Sequence, residues 1–153
     1  MPSIQDTYSE TIRPAVVGMI ANQEPKTLIS RTVEDEDGIG FGIVVQQGTG
    51  DNGCTSDLTT MDASTYLGIT VRERSVRPET PNIFAQYESA RVMRKGVIWV
   101  MTDGAVNAGD AATVTLATGA IGVTPVGTGI VAIPGARFDS STTAAGLAKL
   151  RLD

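Results

Sequence analysis

The sequence predicts an all-β fold, a small β-barrel or sandwich of short strands with Gly-rich turns and an extended N-terminal arm. Three features of the 153 residues predict it: 17 glycines, an aromatic content of only 5%, and short apolar runs bounded by turn residues. Runs at roughly eight-to-twelve-residue spacing favour a sandwich or barrel. A chain of this length is expected to form one domain, which we assign to residues 14–153 behind an arm at residues 1–13.

The arm, residues 1–13, is mostly polar and carries three isolated apolar side chains, Ile4, Tyr8 and Ile12, before Pro14. A spacing of four fits one face of a helix and also one face of an extended strand, so periodicity does not choose between them. One interpretation is a frayed terminus or a short cap on the core. The other is an arm that becomes ordered against a partner.

The first half of the domain reads as short β-like pieces. Gly40 and Gly42 interrupt one of the apolar runs and suggest a bulge or a close backbone approach. The predicted pieces are an apolar run at 15–20, a turn at 22–25, a segment rich in β-formers at 27–33 and an apolar run at 39–45.

The second half contains the clearest strands, at residues 66–71 and 96–101. Between them Pro78 and Pro81 break the chain, and residues 83–92 fit either a short helix or an irregular strand. Small-residue turns then recur up to about residue 129, and residues 144–152 close the chain. We expect a final strand there because Lys-Leu-Arg-Leu alternates with period two.

Charge is unevenly distributed. Residues 34–70 contain seven acidic and no basic residues, whereas residues 71–95 contain six basic and three acidic residues. Such runs are usually solvated loops and faces, although an acidic segment could also meet the basic segment of a neighbouring protein. The net charge of −5 argues against general binding to nucleic acid. No apolar run approaches a membrane span or a signal peptide, which predicts synthesis in the cytosol.

Each apparent catalytic or ligand-binding motif in the sequence lacks an element that its chemistry requires. Residues 48–53 match G-x-G-x-x-G, but no amphipathic helix follows to hold a pyrophosphate, so a loop between strands is expected. The acids at 35–37 lack the first and last carboxylates of a calcium loop. With no histidine, Cys54 has no activating base and is expected to be a small buried side chain. We therefore predict no enzymatic activity, cofactor or metal.

Segments at both ends of the chain resemble tailed-bacteriophage capsid cement, or decoration, proteins. The similarity is carried by residues 8–21, 28–34, 39–42, 133–138 and 145–152. The resemblance implies a β-rich, non-enzymatic protein that binds the outside of an assembled capsid across joints between major-capsid-protein subunits.

The expected function is therefore stabilisation of a phage capsid, on the virion exterior, by a protein made in the host cytoplasm. The expected partners are the major capsid protein and further copies of the chain, as a homotrimer or alternatively a dimer. A carbohydrate- or surface-binding β module of a phage or bacterial appendage is the alternative; Tyr8, Tyr66 and Tyr87 would then be candidates, whereas Trp99 is expected in the core. The candidate capsid or subunit contacts are Ile4, Tyr8, Ile12 and Arg13 on the arm and Arg72, Arg74 and Arg77 in the basic stretch.

Overall fold

A computed structural model of the protein describes residues 15–153, in which it contains eleven β-strands and no helix. The all-β prediction is confirmed, and the architecture is a closed barrel with extra strands. The strands are β1 (Thr27–Val33), β2 (Ile39–Gly40), β3 (Val44–Gln47), β4 (Gly53–Thr55), β5 (Tyr66–Thr70), β6 (Ile83–Phe84), β7 (Ser89–Met101), β8 (Ala111–Thr115), β9 (Ile121–Gly122), β10 (Ile130–Phe138) and β11 (Leu147–Leu152).

The long strand β7 organises the molecule because its two halves belong to different sheets. Its first half pairs antiparallel with β1 and with β5, so that Ile29 lies opposite Val92. Its second half pairs antiparallel with β11, with Leu150 opposite Ile98. The predicted strand at 96–101 is thus the second half of a longer strand. The helix considered for 83–92 is absent, and those residues form β6 and the start of β7.

The barrel is formed by five strands in the order β1-β4-β3-β5-β7 and closes through the pairing of β7 with β1. The β1–β4 pairing is parallel, whereas the other pairings around the barrel are antiparallel. Closure leaves none of these five strands as a free sheet edge, which is how small β-proteins avoid unwanted strand pairing. The remaining strands extend from β7 in the order β11-β10-β8-β9.

Two apolar clusters match this arrangement. The smaller lies in the barrel and comprises Val33, Ile39, Phe41, Val45, Cys54, Leu67, Phe84, Ala90 and Val92. The larger joins outward-facing barrel residues such as Val44, Ile69 and Met93 to the β11-β10-β8 sheet, through Val114, Phe138 and Leu150 among others. Along β11, Ala148, Leu150 and Leu152 are buried while Lys149 and Arg151 are only partly covered, as the predicted period of two requires.

The apolar run at 15–20, predicted as a β-like piece, does not form a regular strand. It turns at Val17 and Gly18 and then joins β7 through one bridge, Ile20 opposite Ile98. Gly18 has a φ of +79°, and a Cβ there would lie 2.7 Å from the Phe41 Cβ. The neighbouring Gly42 also has a positive φ, +70°, so the close approach predicted at this glycine occurs where it packs against Gly18.

Candidate functional site

The glycine-rich loop at residues 48–53 is occupied by a carboxylate of the protein itself. Glu34 Oε2 accepts hydrogen bonds from the Thr49 amide at 2.8 Å and hydroxyl at 2.9 Å, and Oε1 accepts one from the Gly50 amide at 2.8 Å. These bonds lower the pKa of Glu34, because they favour its charged form. The backbone amides that would bind a phosphate are therefore already used.

Asp35 has a similar structural role in the acidic turn. Its carboxylate accepts hydrogen bonds from the Thr55 hydroxyl and from the amide and hydroxyl of Ser56, at 2.5 to 2.8 Å. Glu36 and Asp37 are exposed beside it. Within residues 15–153, no group of three or more His, Cys, Asp or Glu side chains is positioned to hold a metal ion. Two of the four acids in this turn thus fix the loops that follow.

Cys54 is fully buried in the barrel, as expected from the sequence. Burial, together with the charges of Asp35 and Glu34, raises the pKa of its thiol to about 11. A thiol of this kind is a poor nucleophile at neutral pH, because little of it is ionised.

The three arginines predicted as contacts have different environments. The guanidinium of Arg72 lies 5.1 Å from the centre of the Phe41 ring, a cation–π contact. Arg77 forms an ion pair with Glu88 at 3.5 Å. Arg74 is exposed and forms no ion pair with any residue in the range 15–153. Among residues 15–153, Arg74 is thus the one of the three arginines with neither an ion pair nor a cation–π contact.

Arg72 and Arg74 border an open cavity of about 340 Å³, which we call the N-terminal groove. Its apolar part combines buried Val71 with exposed Val16 and Met19, which are 44% and 45% accessible. The groove is lined by Val16, Met19, Ile20, Val71, Arg72, Glu73, Arg74 and Arg91. Glu73 is engaged by Arg91, with an Oε1 to Nη1 distance of 2.6 Å. The groove thus combines an exposed apolar surface, contributed by the start of the described chain, with basic side chains from residues 72–91.

An apolar face adjoining this groove was missed by the sequence analysis. Trp99 was expected in the core, but its side chain is only half-buried, whereas its neighbours Ile98 and Val100 are fully buried. The Trp99 backbone amide donates a hydrogen bond to the Met19 carbonyl at 2.9 Å, and the Lys149 Nζ lies 5.4 Å from the centre of the Trp99 ring. Met101, two residues along the strand, is 51% exposed. Met19, Trp99 and Met101 form what we call the outer face.

The tyrosines considered for a carbohydrate site do not form a platform in the described chain. Tyr87 is 74% exposed, with a positive φ of 64°. The Tyr66 hydroxyl is buried and has no hydrogen-bond partner among residues 15–153, and burial raises its pKa. Tyr8 lies outside the described residues, as do the other arm candidates Ile4, Ile12 and Arg13. No helix of the described residues is long and apolar enough to cross a membrane.

Comparison with known proteins adds a family and a structural neighbour. The family model described as "Structural cement protein (E217 gp24/Pam3 gp6)" matches residues 4–153. No curated protein shows significant sequence similarity to the chain. A chain from a solved structure titled "The capsid of Myoviridae Phage XM1" superposes with a TM-score of 0.72 and 16% sequence identity, covering 99% of this chain and 98% of the other. That likeness is one of fold.

Proposed function

The chain belongs to the phage structural cement protein family, and on that premise we propose that it binds the outer surface of an assembled capsid and stabilises the major-capsid-protein lattice. The observation that carries this function is the family match, which spans residues 4–153 and thus both the N-terminal arm and the β domain. The carboxylates of Glu34 and Asp35 accept hydrogen bonds from loops of the same chain. Their use in holding the fold together is compatible with a structural role on the virion. We propose no enzymatic activity. The carbohydrate-binding alternative is not favoured.

The proposed mechanism is mass action. A protein that binds the assembled shell but not its dissociated subunits shifts the equilibrium toward the shell, by an amount set by its concentration relative to its dissociation constant. No covalent chemistry is needed. The protein would be made in the host cytoplasm and would act after the capsid lattice has assembled.

We propose that the contacts with capsid or neighbouring copies include the arm residues Ile4, Tyr8, Ile12 and Arg13, together with the basic stretch. Arg74 is the strongest candidate in that stretch, since it is exposed and forms no ion pair with residues 15–153. The roles of Arg72 and Arg77 in contacts are secondary, because Phe41 and Glu88 already hold their guanidinium groups.

We further propose that the protein acts as a homotrimer at three-fold and pseudo-three-fold positions of the capsid, with a dimer as the alternative. Self-association would let several weak contacts act together, because each bound subunit raises the effective concentration of the next. Sedimentation equilibrium of the purified chain distinguishes the two states, since they differ in mass by one 16.0 kDa subunit.

Co-sedimentation with capsids tests the proposed function. The protein should pellet with empty expanded capsids and should not associate with unassembled major-capsid-protein subunits. A cryo-EM map of the decorated particle would then show which surface faces the shell. Equal binding to capsids and to dissociated subunits, or binding to neither, would contradict a cementing role, and specific signals on a glycan array would instead support the carbohydrate-binding alternative.

A further inference from the structure

We infer that the N-terminal groove is the docking site for the N-terminal segment of a second copy of the chain, with residues 4–12 lying extended across it. The inference deepens the self-association in the proposed function and rests on it, but it does not depend on capsid binding. It assigns the contact that would join neighbouring subunits.

The groove and the segment are chemically complementary. Three arginines and one glutamate give the groove a formal charge of +2, and Glu73 is already neutralised by Arg91. Residues 4–12 contain two acidic side chains, Asp6 and Glu10, and no basic one, which gives −2. Opposite net charges at close range fix orientation and disfavour wrong partners.

The side-chain pattern of the segment also fits the pattern of the groove. In an extended chain, alternate side chains point to the same side, so residues 4, 6, 8, 10 and 12 share one face. That face reads Ile4, Asp6, Tyr8, Glu10 and Ile12, an alternation of apolar and acidic groups. The groove offers apolar Val16, Met19 and Val71 beside the arginines. Residues 6 to 10 span about 13 Å at roughly 3.3 Å per residue, so Tyr8 would meet the apolar floor and the carboxylates of Asp6 and Glu10 the basic rim. Ile4 and Ile12 would lie at or beyond the two ends of the groove.

The position of residues 16–20 favours a segment supplied by a second copy. Residues 16–20 form one wall of the groove and are fixed by hydrogen bonds to β7, including the Gly18 amide to the Trp99 carbonyl at 2.8 Å. A chain returning into its own groove would have to double back over this wall. Pro14 favours an extended conformation at Arg13 over a tight turn back toward the wall. Thirteen extended residues reach about 40 Å at roughly 3.3 Å each, enough to cross to a neighbouring subunit.

A cross-linking experiment tests the inference. One full-length chain carries Ser9→Cys, and a second, distinguished by a size tag, carries Ser75→Cys beside Arg74. The native Cys54 is fully buried and does not compete for a thiol reagent. Treating the equimolar mixture with a short bismaleimide should give a covalent heterodimer. The matched control pairs Ser9→Cys with Ala63→Cys, an exposed position outside the groove, and should give at least several-fold less product.

A second pair of variants tests whether the groove itself is responsible. Met19→Asp, in the chain carrying Ser75→Cys, places a carboxylate in the groove and should reduce the heterodimer several-fold. Val126→Asp changes an exposed apolar side chain outside both the groove and the outer face, and it should leave the yield unchanged. Val16→Asp replaces Met19→Asp if that variant loses the native far-UV spectrum.

Three results would overturn the inference. They are a heterodimer yield no higher than in the position-63 control, a yield unaffected by Met19→Asp, or a cross-link at monomer mass in the Ser9→Cys/Ser75→Cys double variant. The last result would place the segment in the groove of its own chain. The first result includes the case in which no combination gives a cross-link. Capsid co-sedimentation of the same variants shows separately whether the proposed function survives.

Discussion

At the scale of single residues, Glu34 is the clearest case in which an apparent ligand-binding motif serves folding. A G-x-G-x-x-G loop offers backbone amides that attract an anion, and here the anion is a carboxylate from the end of β1. The same residue belongs to the acidic run that the sequence analysis interpreted as a solvated face. The Glu34 carboxylate occupies the place that a phosphate takes in a nucleotide-binding loop, and it thereby fixes the loop between β3 and β4.

We predict that Glu34→Gln destabilises the protein by about 1–2 kcal/mol at pH 7, because hydrogen bonds to a charged and partly solvated acceptor are lost. The folded-state pKa of Glu34 is lowered from its ordinary value of 4.5, so its stabilisation is present above pH 4.5 and is lost as the pH falls through the lower folded-state pKa. Urea unfolding at pH 7 and at pH 3 measures this, and the gap between variant and wild type should narrow at pH 3.

The matched control for Glu34 is Glu36→Gln, which changes an exposed acid in the same turn. It should leave the free energy of unfolding within about 0.5 kcal/mol of wild type. An equal loss in both variants, or a gap for Glu34→Gln that widens on acidification, would mean that the carboxylate does not stabilise the loop.

A second residue-scale prediction concerns Gly18. Gly18→Ala should cost more than about 1 kcal/mol, because its φ is +79° and the added Cβ would lie 2.7 Å from the Phe41 Cβ. Gly104→Ala is the control, since a Cβ there meets nothing within 4 Å. Thermal unfolding of both variants measures the difference, and comparable melting temperatures would contradict the close packing described for Gly18 and Gly42.

At the scale of elements, the segment 72–77 shows why a run of like charges is not one functional unit. Arg77 is paired with Glu88, and the Arg77 amide also donates to the same carboxylate at 3.2 Å. Arg72 stacks on Phe41, which in turn packs edge-on against Phe84 at 5.1 Å. Reversing all three arginine charges would therefore disturb local structure as well as any intermolecular contact.

We accordingly predict that Arg74→Glu alone weakens capsid or subunit association several-fold, with a reduced dependence on salt, because a screened attraction has been removed. Arg137→Glu is the control, an exposed arginine on β10 that pairs with Asp153 at 3.2 Å. Occupancy of capsids by each variant, measured over a range of salt concentrations, provides the test. Identical behaviour of the two variants would make Arg74 an ordinary surface residue.

Strands with a local signature were predictable, whereas their long-range pairing was not. The β-formers at 27–33 and the alternation at 147–152 correspond to β1 and β11. Closure of the barrel depends on pairing between β1 and β7, strands some sixty residues apart in sequence, which periodicity does not encode. Trp99 was misassigned for a related reason. The continuous apolar run at 97–101 does not reveal which alternate side chains face solvent.

The candidate site was predictable only in part. Arg72 and Arg74 do border one groove, but the apolar groups that accompany them, Val16 and Met19, come from a distant part of the sequence and meet them only in the fold. The exposed face around Trp99 required knowledge of its neighbours. The sequence shows that Glu34 is an acid, but the contact of its carboxylate with the loop at 48–53 depends on the parallel pairing of β1 with β4.

At the scale of the whole molecule, we assign separate roles to the β body and to the N-terminal segment. Ordering one backbone residue costs about 1–2 kcal/mol, and burying one apolar side chain returns about 1.5–3 kcal/mol. Three anchors among thirteen residues therefore do not offset the cost of ordering them, and we expect another chain to supply the remaining contacts. We predict that amides around Ile4, Tyr8 and Ile12 exchange rapidly in a monomeric subunit and slowly in the assembled state. Strong protection in a demonstrably monomeric subunit would instead support a cap on the core.

Deleting residues 2–13 should separate these two roles. The far-UV spectrum of the β body should stay unchanged, because the described cores are formed by residue 28 onward with Ile20 as a partly buried neighbour. Capsid occupancy and self-association should fall. Full occupancy after the deletion would move the binding surface onto the body, where the outer face around Trp99 becomes the first candidate.

Thermal disruption of undecorated expanded capsids, titrated with the purified protein, measures whether the protein cements an assembled capsid. Binding to the shell alone should raise the disruption temperature progressively, with a stabilisation of about 2.7 kcal/mol per site at a concentration one hundred times the dissociation constant. The rise should continue until the sites are filled. A disruption temperature that stays constant while the capsids become fully decorated would contradict the claim.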